Sequence, residues 1–193
     1  MVDPTAAADE WGQRLAEALL AVLFVRAEPI AVADLAATLE VEPAQLHDLA
    51  GIASLLLQGT GLMLQDHRGE LQLVSHPSTA WAVERAVRPE VASRLSRPAL
   101  ETLAIVAYRQ PISRSAIEAI RGVNCEAVLD RLQRHDLVAE IGRSEGPGRA
   151  RLFGTTMHFL QVVGVARIED LPPLPSGGDE GWLVQAVEAG DGS

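Results

Sequence analysis

The chain has 193 residues, of which 48% are hydrophobic, 22% are charged and only 4% are aromatic. This apolar content excludes a disordered acidic polymer, and the length accommodates one medium domain or two small ones. The net charge of −10 argues against sequence-independent DNA binding, which requires clustered cations. The longest uninterrupted apolar run covers residues 18–25 and is too short for a membrane span, and no basic start of a signal peptide is present. We therefore expect a cytoplasmic protein with no membrane partner.

The residues that usually carry catalysis or bind metals are sparse and scattered. Cys125 is the single cysteine, and no two of the five histidines lie within four residues of each other. No neighbouring histidine or acid completes a nucleophile set with Cys125, and the turn at 146–148 lacks the context of a phosphate-binding loop. We expect no metal, no cofactor, no small-molecule substrate and no catalytic residue, so the chain is not predicted to be an enzyme.

Charge is distributed unevenly along the chain. Residues 1–90 carry five arginines and 13 acids, whereas residues 91–167 carry 11 arginines and seven acids. Residues 168–193 carry six acids and no basic residue. The sequence thus predicts an acidic first half, a basic second part and an acidic tail.

Two segments of the chain resemble each other at a nearly constant offset. Glu17 aligns with Glu101 at an offset of 84, and Pro29 aligns with Pro111 at an offset of 82. An internal match at this spacing indicates two related modules of about eighty residues.

The first module reads as helix, helix, helix, hairpin and helix. Its first helix has apolar residues at helical spacing, and Leu20 and Phe24 widen that face. Pro29 ends this helix, and further helices are predicted over 32–39, 43–58 and 78–88. Two short strands, 62–66 and 71–74, flank a predicted hairpin turn.

The second module repeats that order. A helix over 98–108 is apolar around most of its circumference, and Ser113 or Ser115 can cap the next helix, with Ser115 and Glu118 at the spacing of a capping box. Gly122 is predicted to end the second helix and Asn124 to cap the third. A hairpin over 138–143 and 151–155 precedes a short helix over 157–163.

Three helices followed by a two-stranded hairpin define a winged helix. The predicted fold is therefore mainly α with small β wings (α+β), with two tandem winged-helix domains and a flexible acidic C-terminal tail. We place the N-terminal domain at 1–88, a linker at 89–97, the C-terminal domain at 98–167 and the tail at 168–193.

DNA recognition is the best-known use of a winged helix, with the third helix in the major groove. The third helix of module one carries no arginine, and that of module two mixes Arg131 and Arg134 with acids. Arginines of the second wing remain the best nucleic-acid candidates, although Glu145 lies among them. Direct DNA binding is expected to be weak or absent, and a tandem winged-helix transcription regulator stays open as the alternative function.

The first helix of each module is too apolar for a small three-helix core to cover. Module one is therefore expected to self-associate or to pack on its partner module, and module two to accept an apolar segment of another protein. The residues proposed for the dimer interface of module one are Leu15, Leu19, Leu20, Leu23 and Phe24.

Two long strings in the second module carry a family resemblance. They are Ala-Leu-Glu-Thr-Leu-Ala-Ile-Val-Ala-Tyr-Arg-Gln-Pro-Ile at 99–112 and Ile-Glu-Ala-Ile-Arg-Gly-Val at 117–123, followed by Ile-Gly-Arg at 141–143 and Leu-Phe-Gly-Thr-Thr at 152–156. With a looser match at 17–30, the sequence resembles segregation and condensation protein B of bacteria over about residues 10–174.

The resemblance implies an adaptor without catalytic activity that acts in chromosome condensation and segregation during cell division. Its implied partners are a kleisin, segregation and condensation protein A, and through it the SMC proteins of the condensin complex, which would associate the chain with the nucleoid. It also implies a homodimer formed by the N-terminal domains. The motif positions that it assigns to kleisin binding on the C-terminal domain are Tyr108, Pro111, Arg121, Gly122, Arg143, Pro147, Gly148, Arg149 and Phe153.

Overall fold

A computed structural model describes residues 4–87, 95–145 and 148–173 of the chain. The chain divides into two compact units, residues 1–88 and 89–193. In each unit the described residues form three helices, a three-stranded antiparallel sheet and a closing helix. The predicted fold class, mainly α with small β wings and two tandem winged helices, is confirmed. The predicted tail from residue 174 onward lies outside the described residues.

The first unit follows the predicted order of elements, with one additional strand. Its helices and strands are α1 (Pro4–Arg26), β1 (Ile30–Ala31), α2 (Val32–Leu39), α3 (Pro43–Leu56), β2 (Leu62–His67), β3 (Glu70–Ser75), a 3₁₀ turn (Pro77–Thr79) and α4 (Ala80–Val87).

The core of the first unit forms where the apolar stripes of its helices meet the inner face of the sheet. Leu19 and Leu23 of α1 are buried, as the i, i+4 spacing predicts. They share one cluster with Leu35, Leu46 and Leu71 from α2, α3 and β3. The wing turn consists of Arg68 and Gly69, both with positive φ, which is the geometry that a two-residue hairpin requires.

The second unit has the same order with a longer wing loop. Its elements are α5 (Arg97–Arg109), β4 (Ile112–Ser113), α6 (Arg114–Arg121), α7 (Glu126–Arg134), β5 (Val138–Arg143), β6 (Arg151–Thr155), α8 (Met157–Val163) and a 3₁₀ turn (Ile168–Asp170).

The two units repeat at the level of strand register. Ile30 pairs with Leu71 in the first sheet, and Ile112 pairs with Phe153 in the second. Both members of the pair are shifted by 82 positions, the offset that the prolines predict. Strands β1 and β4 were not predicted, because two residues are too few to show an alternating pattern.

Of the caps predicted for α6, Ser113 and Gly122 are confirmed, and the capping box of Ser115 with Glu118 is wrong. The Ser113 hydroxyl oxygen accepts the Ala116 N–H at 3.3 Å, so Ser113 is the N-cap of α6. Ser115 lies inside the helix and forms no capping box with Glu118, whose carboxylate instead accepts the backbone N–H of Cys125 at 3.1 Å. Gly122 ends α6 in the left-handed conformation, as predicted.

Burial of α5 overturns the expectation that its apolar width needs cover from another protein. The six successive residues Thr102–Ala107 are all buried, and six residues at 100° each span every side of a helix. Ala99, Leu103, Ile105, Val106 and Ala107 belong to the unit's own core cluster. The prediction failed because it counted three helices as the whole core.

The additional cover comes from the chain that follows the wing. Met157, Phe159 and Leu160 of α8 and Leu171 beyond it belong to the same core cluster as α5. The Thr156 hydroxyl oxygen caps α8 by accepting the Phe159 N–H at 3.1 Å. The folded second unit thus includes Leu171, whereas the sequence placed the start of the tail at residue 168.

We expect Leu160→Ala to destabilise the second unit strongly. Leu160 is fully buried, so the truncation leaves a cavity and should lower the free energy of unfolding by about 2–5 kcal/mol. Val162→Ala on the same helix is the matched control, because Val162 is 44% exposed, and its effect should stay within about 0.5 kcal/mol. Urea unfolding of the full chain measures both values, and equal effects of the two substitutions would contradict the proposed packing of α8.

Candidate interaction site

Arg121 is held by the second unit rather than presented to a partner. Its guanidinium contacts Glu101 at 3.0 Å and donates to the Thr102 hydroxyl oxygen at 3.0 Å, and its side chain is only 11% exposed. This ion pair joins the end of α6 to the middle of α5. Arg121 therefore has a structural role, and its guanidinium is occupied.

Two other motif positions also have evident structural roles. Phe153 is buried and pairs with Ile112 across the sheet, so its ring is part of the core. Gly122 has φ of 70°, a conformation that glycine adopts without strain, and it closes α6. Of these two residues, only Gly122 is exposed to a potential partner.

Exposed apolar side chains flank Arg121 and Gly122. Ile120 is 52% exposed at the end of α6, and Val123 is 53% exposed in the turn that follows. Sequence reasoning placed both residues in the family motif but did not select them as contact residues. Ile117 and Ile120 are three positions apart and lie on the same side of the helix. The sequence alone therefore does not show that Ile117 is buried and Ile120 is exposed.

Tyr108 lies at the C-terminal end of α5, beside the exposed Pro111. Its hydroxyl donates to the Pro172 carbonyl oxygen at 2.6 Å, and its ring packs against the core. Burial raises the pKa of Tyr108 to about 12 from its usual value of 10.0. Pro172, which follows the last 3₁₀ turn, thus covers part of this candidate surface.

Gln110 ties the end of α5 to β6 beside Tyr108. Its side-chain amide nitrogen donates to the Thr155 hydroxyl at 3.0 Å, and its amide oxygen accepts the Thr155 backbone N–H at 2.9 Å. Thr155 is fully buried, so these bonds satisfy polar groups inside the core. Both residues lie in the motif strings of the second module. Their hydrogen bonds could not be predicted from the sequence, because residues 45 positions apart form no local pattern.

The wing arginines border a cleft, which we call the wing cleft, between the wing, the start of α6 and the face of α7. It has a volume of about 520 Å³. Its charged lining residues are Arg114, Glu126, Asp130, Arg143, Arg149 and Arg151. Gly148 also lines it, while Pro147 lies outside the described residues. Four guanidinium groups facing two carboxylates make the cleft a candidate site for an anionic ligand.

The dimer candidates of the first unit separate into core and surface residues. Leu19 and Leu23 are buried in the core, so their assignment to an interface is wrong; both point inward with Ala16 along one stripe of α1. Leu15 and Leu20 are partly buried against that core. Phe24 is 74% exposed. Of the five candidates, Phe24 offers the largest exposed apolar surface.

A groove lies next to the exposed end of α1. Val25, which follows Phe24 and is 79% exposed, lines this groove of about 560 Å³ together with Val22, Ile30 and Leu35, and Arg26 and Asp34 line it as well. Exposed apolar side chains beside a groove are typical of protein contact sites.

Within the described residues, no group of three or more histidine, cysteine, aspartate or glutamate side chains could hold a metal ion. Cys125 is fully buried in the core of the second unit, and its thiol donates to the Val123 carbonyl oxygen at 3.4 Å. None of the described helices is both long and apolar enough to cross a membrane.

The fold and these surfaces define a tandem winged-helix protein with apolar and basic contact surfaces. A family profile described as "Segregation and condensation complex subunit ScpB" matches residues 17–174. The chain belongs to this family, as the resemblance indicated.

Curated relatives carry the name Segregation and condensation protein B. The protein of Moorella thermoacetica is 43% identical over 85% of this chain and 85% of the relative. The protein of Geobacillus thermodenitrificans is 40% identical, and the match covers 93% of this chain and 88% of the relative. The crystal structure of ScpB from Mycobacterium tuberculosis has 32% identity and a TM-score of 0.38, and the match covers 80% of this chain and 97% of that chain.

Tyr108 is the single tyrosine, so its ionisation can be followed without interference. We expect the phenolate absorbance of the native chain to rise with a midpoint near pH 12, and that of the urea-unfolded chain near pH 10.0. Because the folded pKa is the higher one, the stability contributed by the neutral hydroxyl is complete below pH 10 and is lost between pH 10 and about 12. Tyr108→Phe is the control, and a native midpoint at pH 10 would contradict the burial of this ring.

Proposed function

We propose that this protein is a non-enzymatic adaptor that binds the kleisin subunit of a bacterial SMC condensin complex and takes part in chromosome condensation and segregation. The observation that carries the proposal is the family match over residues 17–174, with relatives named Segregation and condensation protein B at about 40% identity over most of the chain. The kleisin, segregation and condensation protein A, is the expected direct partner. The SMC proteins would be reached through it.

The proposed kleisin surface lies on the second unit. Burial of apolar surface is the dominant favourable contribution to most protein–protein association, and Ile120 and Val123 are exposed beside the motif positions Arg121 and Gly122. The partly buried ion pair of Arg121 with Glu101 fixes the end of α6, so these apolar groups are held by a rigid element. Pro111 and Tyr108 form a second part of the candidate surface, and the wing arginines form a third.

We expect Val123→Asp to weaken kleisin binding by about tenfold or more, because a charge in an apolar contact must be desolvated without a partner. Val162→Asp is the matched control, since Val162 is an exposed valine on α8. Calorimetry with purified segregation and condensation protein A measures both affinities, and circular dichroism confirms that the variants are folded. The proposed surface would be refuted if Val123→Asp and Arg149→Glu both bound like the unmodified chain.

Self-association through the first unit is a separate part of the proposal. The exposed Phe24 and Val25 and the adjoining groove form the apolar surface best suited to a second copy. In the proposed complex, residues 1–88 would form the dimer and residues 98–167, extended by the segment to Leu171, would bind the kleisin. A homodimer would present two kleisin-binding units.

We expect Phe24→Asp to convert the dimer to a monomer, because it places a charge in the exposed apolar surface formed by Phe24 and Val25. Leu55→Asp is the matched control, since Leu55 is 65% exposed on a different helix, α3, and is not part of the proposed contact. Sedimentation equilibrium over a range of concentrations measures the mass. A monomer at every concentration for the unmodified chain would exclude this part of the proposal.

A DNA-binding regulator is the second candidate, and only the wing cleft favours it. Four arginines line that cleft, yet Glu126 and Asp130 of the third helix line it as well. Helix α3 of the first unit has no arginine on any side. Acids on the helix that would enter the major groove repel phosphate, so this candidate is the weaker of the two.

A further inference from the structure

The wing cleft has more positive charge than its own acids neutralise. Arg143 and Arg151 approach the same carboxylate of Glu140, at 3.4 and 3.5 Å. Arg149 makes no ion pair with the described residues, and its side chain is exposed. Two guanidinium groups that share one carboxylate, with a third that has none, leave donors for further acidic groups.

Arg114 closes the opposite side of the cleft. It contacts Glu126 at 2.8 Å and remains about half exposed, with 48% of its side chain accessible. This pair holds the start of α6 against the start of α7. The Arg114–Glu126 pair is neutral. The other charged residues that line the cleft are Asp130 and the three wing arginines, so the excess positive charge lies on the wing.

An acidic segment of the same chain begins close to this cleft. The Pro172 carbonyl is bound to the Tyr108 hydroxyl, and Tyr108 precedes Ser113, a lining residue of the cleft, by only five positions. Five residues span at most about 18 Å, and the Tyr108 side chain with its hydrogen bond adds about 10 Å, so Pro172 lies within about 30 Å of the cleft edge. Residues 174–193 contain four acids and no basic residue, and the first acid, Asp179, follows Pro173 by six positions, a reach of about 20 Å.

We propose that the wing cleft binds an acidic peptide and that its ligand is the chain's own C-terminal segment, residues 176–193. The proposed partners of Arg143 and Arg149 are the four carboxylates of this segment, at Asp179, Glu180, Glu188 and Asp191. Attachment to the same chain gives the segment an effective concentration of about millimolar, so an ionic contact that is weak between separate molecules suffices. A free polyanion would have to displace the segment, so the proposal predicts that the segment weakens DNA binding by the basic wing.

The segment contains its own reporter, Trp182. Trp11 and Trp81 are both about 60% exposed and can be replaced by Phe, which leaves Trp182 as the sole tryptophan of the full chain. We expect the fluorescence anisotropy of Trp182 to be high at low ionic strength and to fall at about 1 M salt, where the Debye length is about 3 Å. In this background R143A/R149A should give the high-salt value even at low salt.

The matched control is R14A/R26A, which removes two exposed arginines of the first unit and changes the net charge equally. It should leave the anisotropy of Trp182 unchanged. An anisotropy that neither salt nor R143A/R149A alters overturns the proposal, because the segment is then unbound or bound elsewhere. No kleisin is present in this assay, so its outcome is independent of the adaptor function.

A second measurement separates a peptide ligand from nucleic acid. A fluorescein-labelled peptide with the sequence of residues 174–193 should bind the variant D179N/E180Q/E188Q/D191N about tenfold more tightly than the unmodified chain, because the neutralised segment no longer competes. Failure of this peptide to distinguish the two chains overturns the proposal. Duplex DNA that binds both chains equally, with loss on R143A/R149A, would instead identify the cleft as a phosphate site.

Discussion

Burial of the middle of α5, residues Thr102–Ala107, is the constraint on which the second unit depends. A winged helix of this size has too few apolar residues in its three helices and sheet to enclose a helix whose successive residues Thr102–Ala107 are all apolar or non-ionisable. The chain supplies the remainder through α8 and Leu171, which join the same core. Because the apolar area removed from water dominates the stability of a small domain, this C-terminal extension is an integral part of the fold.

The same extension determines which surfaces remain for partners. It accepts a hydrogen bond from the Tyr108 hydroxyl and covers part of the end of α5. Among the described residues of the second unit, the large hydrophobic side chains left exposed are Ile120, Val123 and Val162. In the first unit the excess apolar surface is not absorbed in this way, since Phe24 and Val25 stay exposed. The apolar first helices of the two modules are thus buried to different extents: the following chain covers α5, whereas part of α1 stays exposed. Within the first, an apolar surface remains for contact with another molecule.

Local patterns predicted the elements well and their mutual burial poorly. The bounds of α2, β5, β6 and α8 agree with the sequence analysis, because periodicity, glycine and proline mark them directly. Strands β1 and β4 had no such pattern. Ser115 has the spacing of a capping box, but the N-cap of α6 is Ser113, two residues earlier. Burial of Leu19, Leu23 and Phe153 depends on contacts between residues far apart in sequence, which spacing alone does not contain.

A motif shared with a family mixes residues that build the fold with residues that act. In the second unit Arg121 is engaged by Glu101 and Thr102, Phe153 is in the core, and Gly122 sets a helix end. Their occurrence in the motif therefore follows from the demands of folding, which any protein with this core must meet. What folding does not demand is an exposed apolar pair beside that rigid corner, or a wing in which two arginines share one glutamate and a third makes no ion pair with the described residues. These are the features whose chemistry is left for a partner, and the acidic composition of residues 174–193 makes one such partner available on the chain itself.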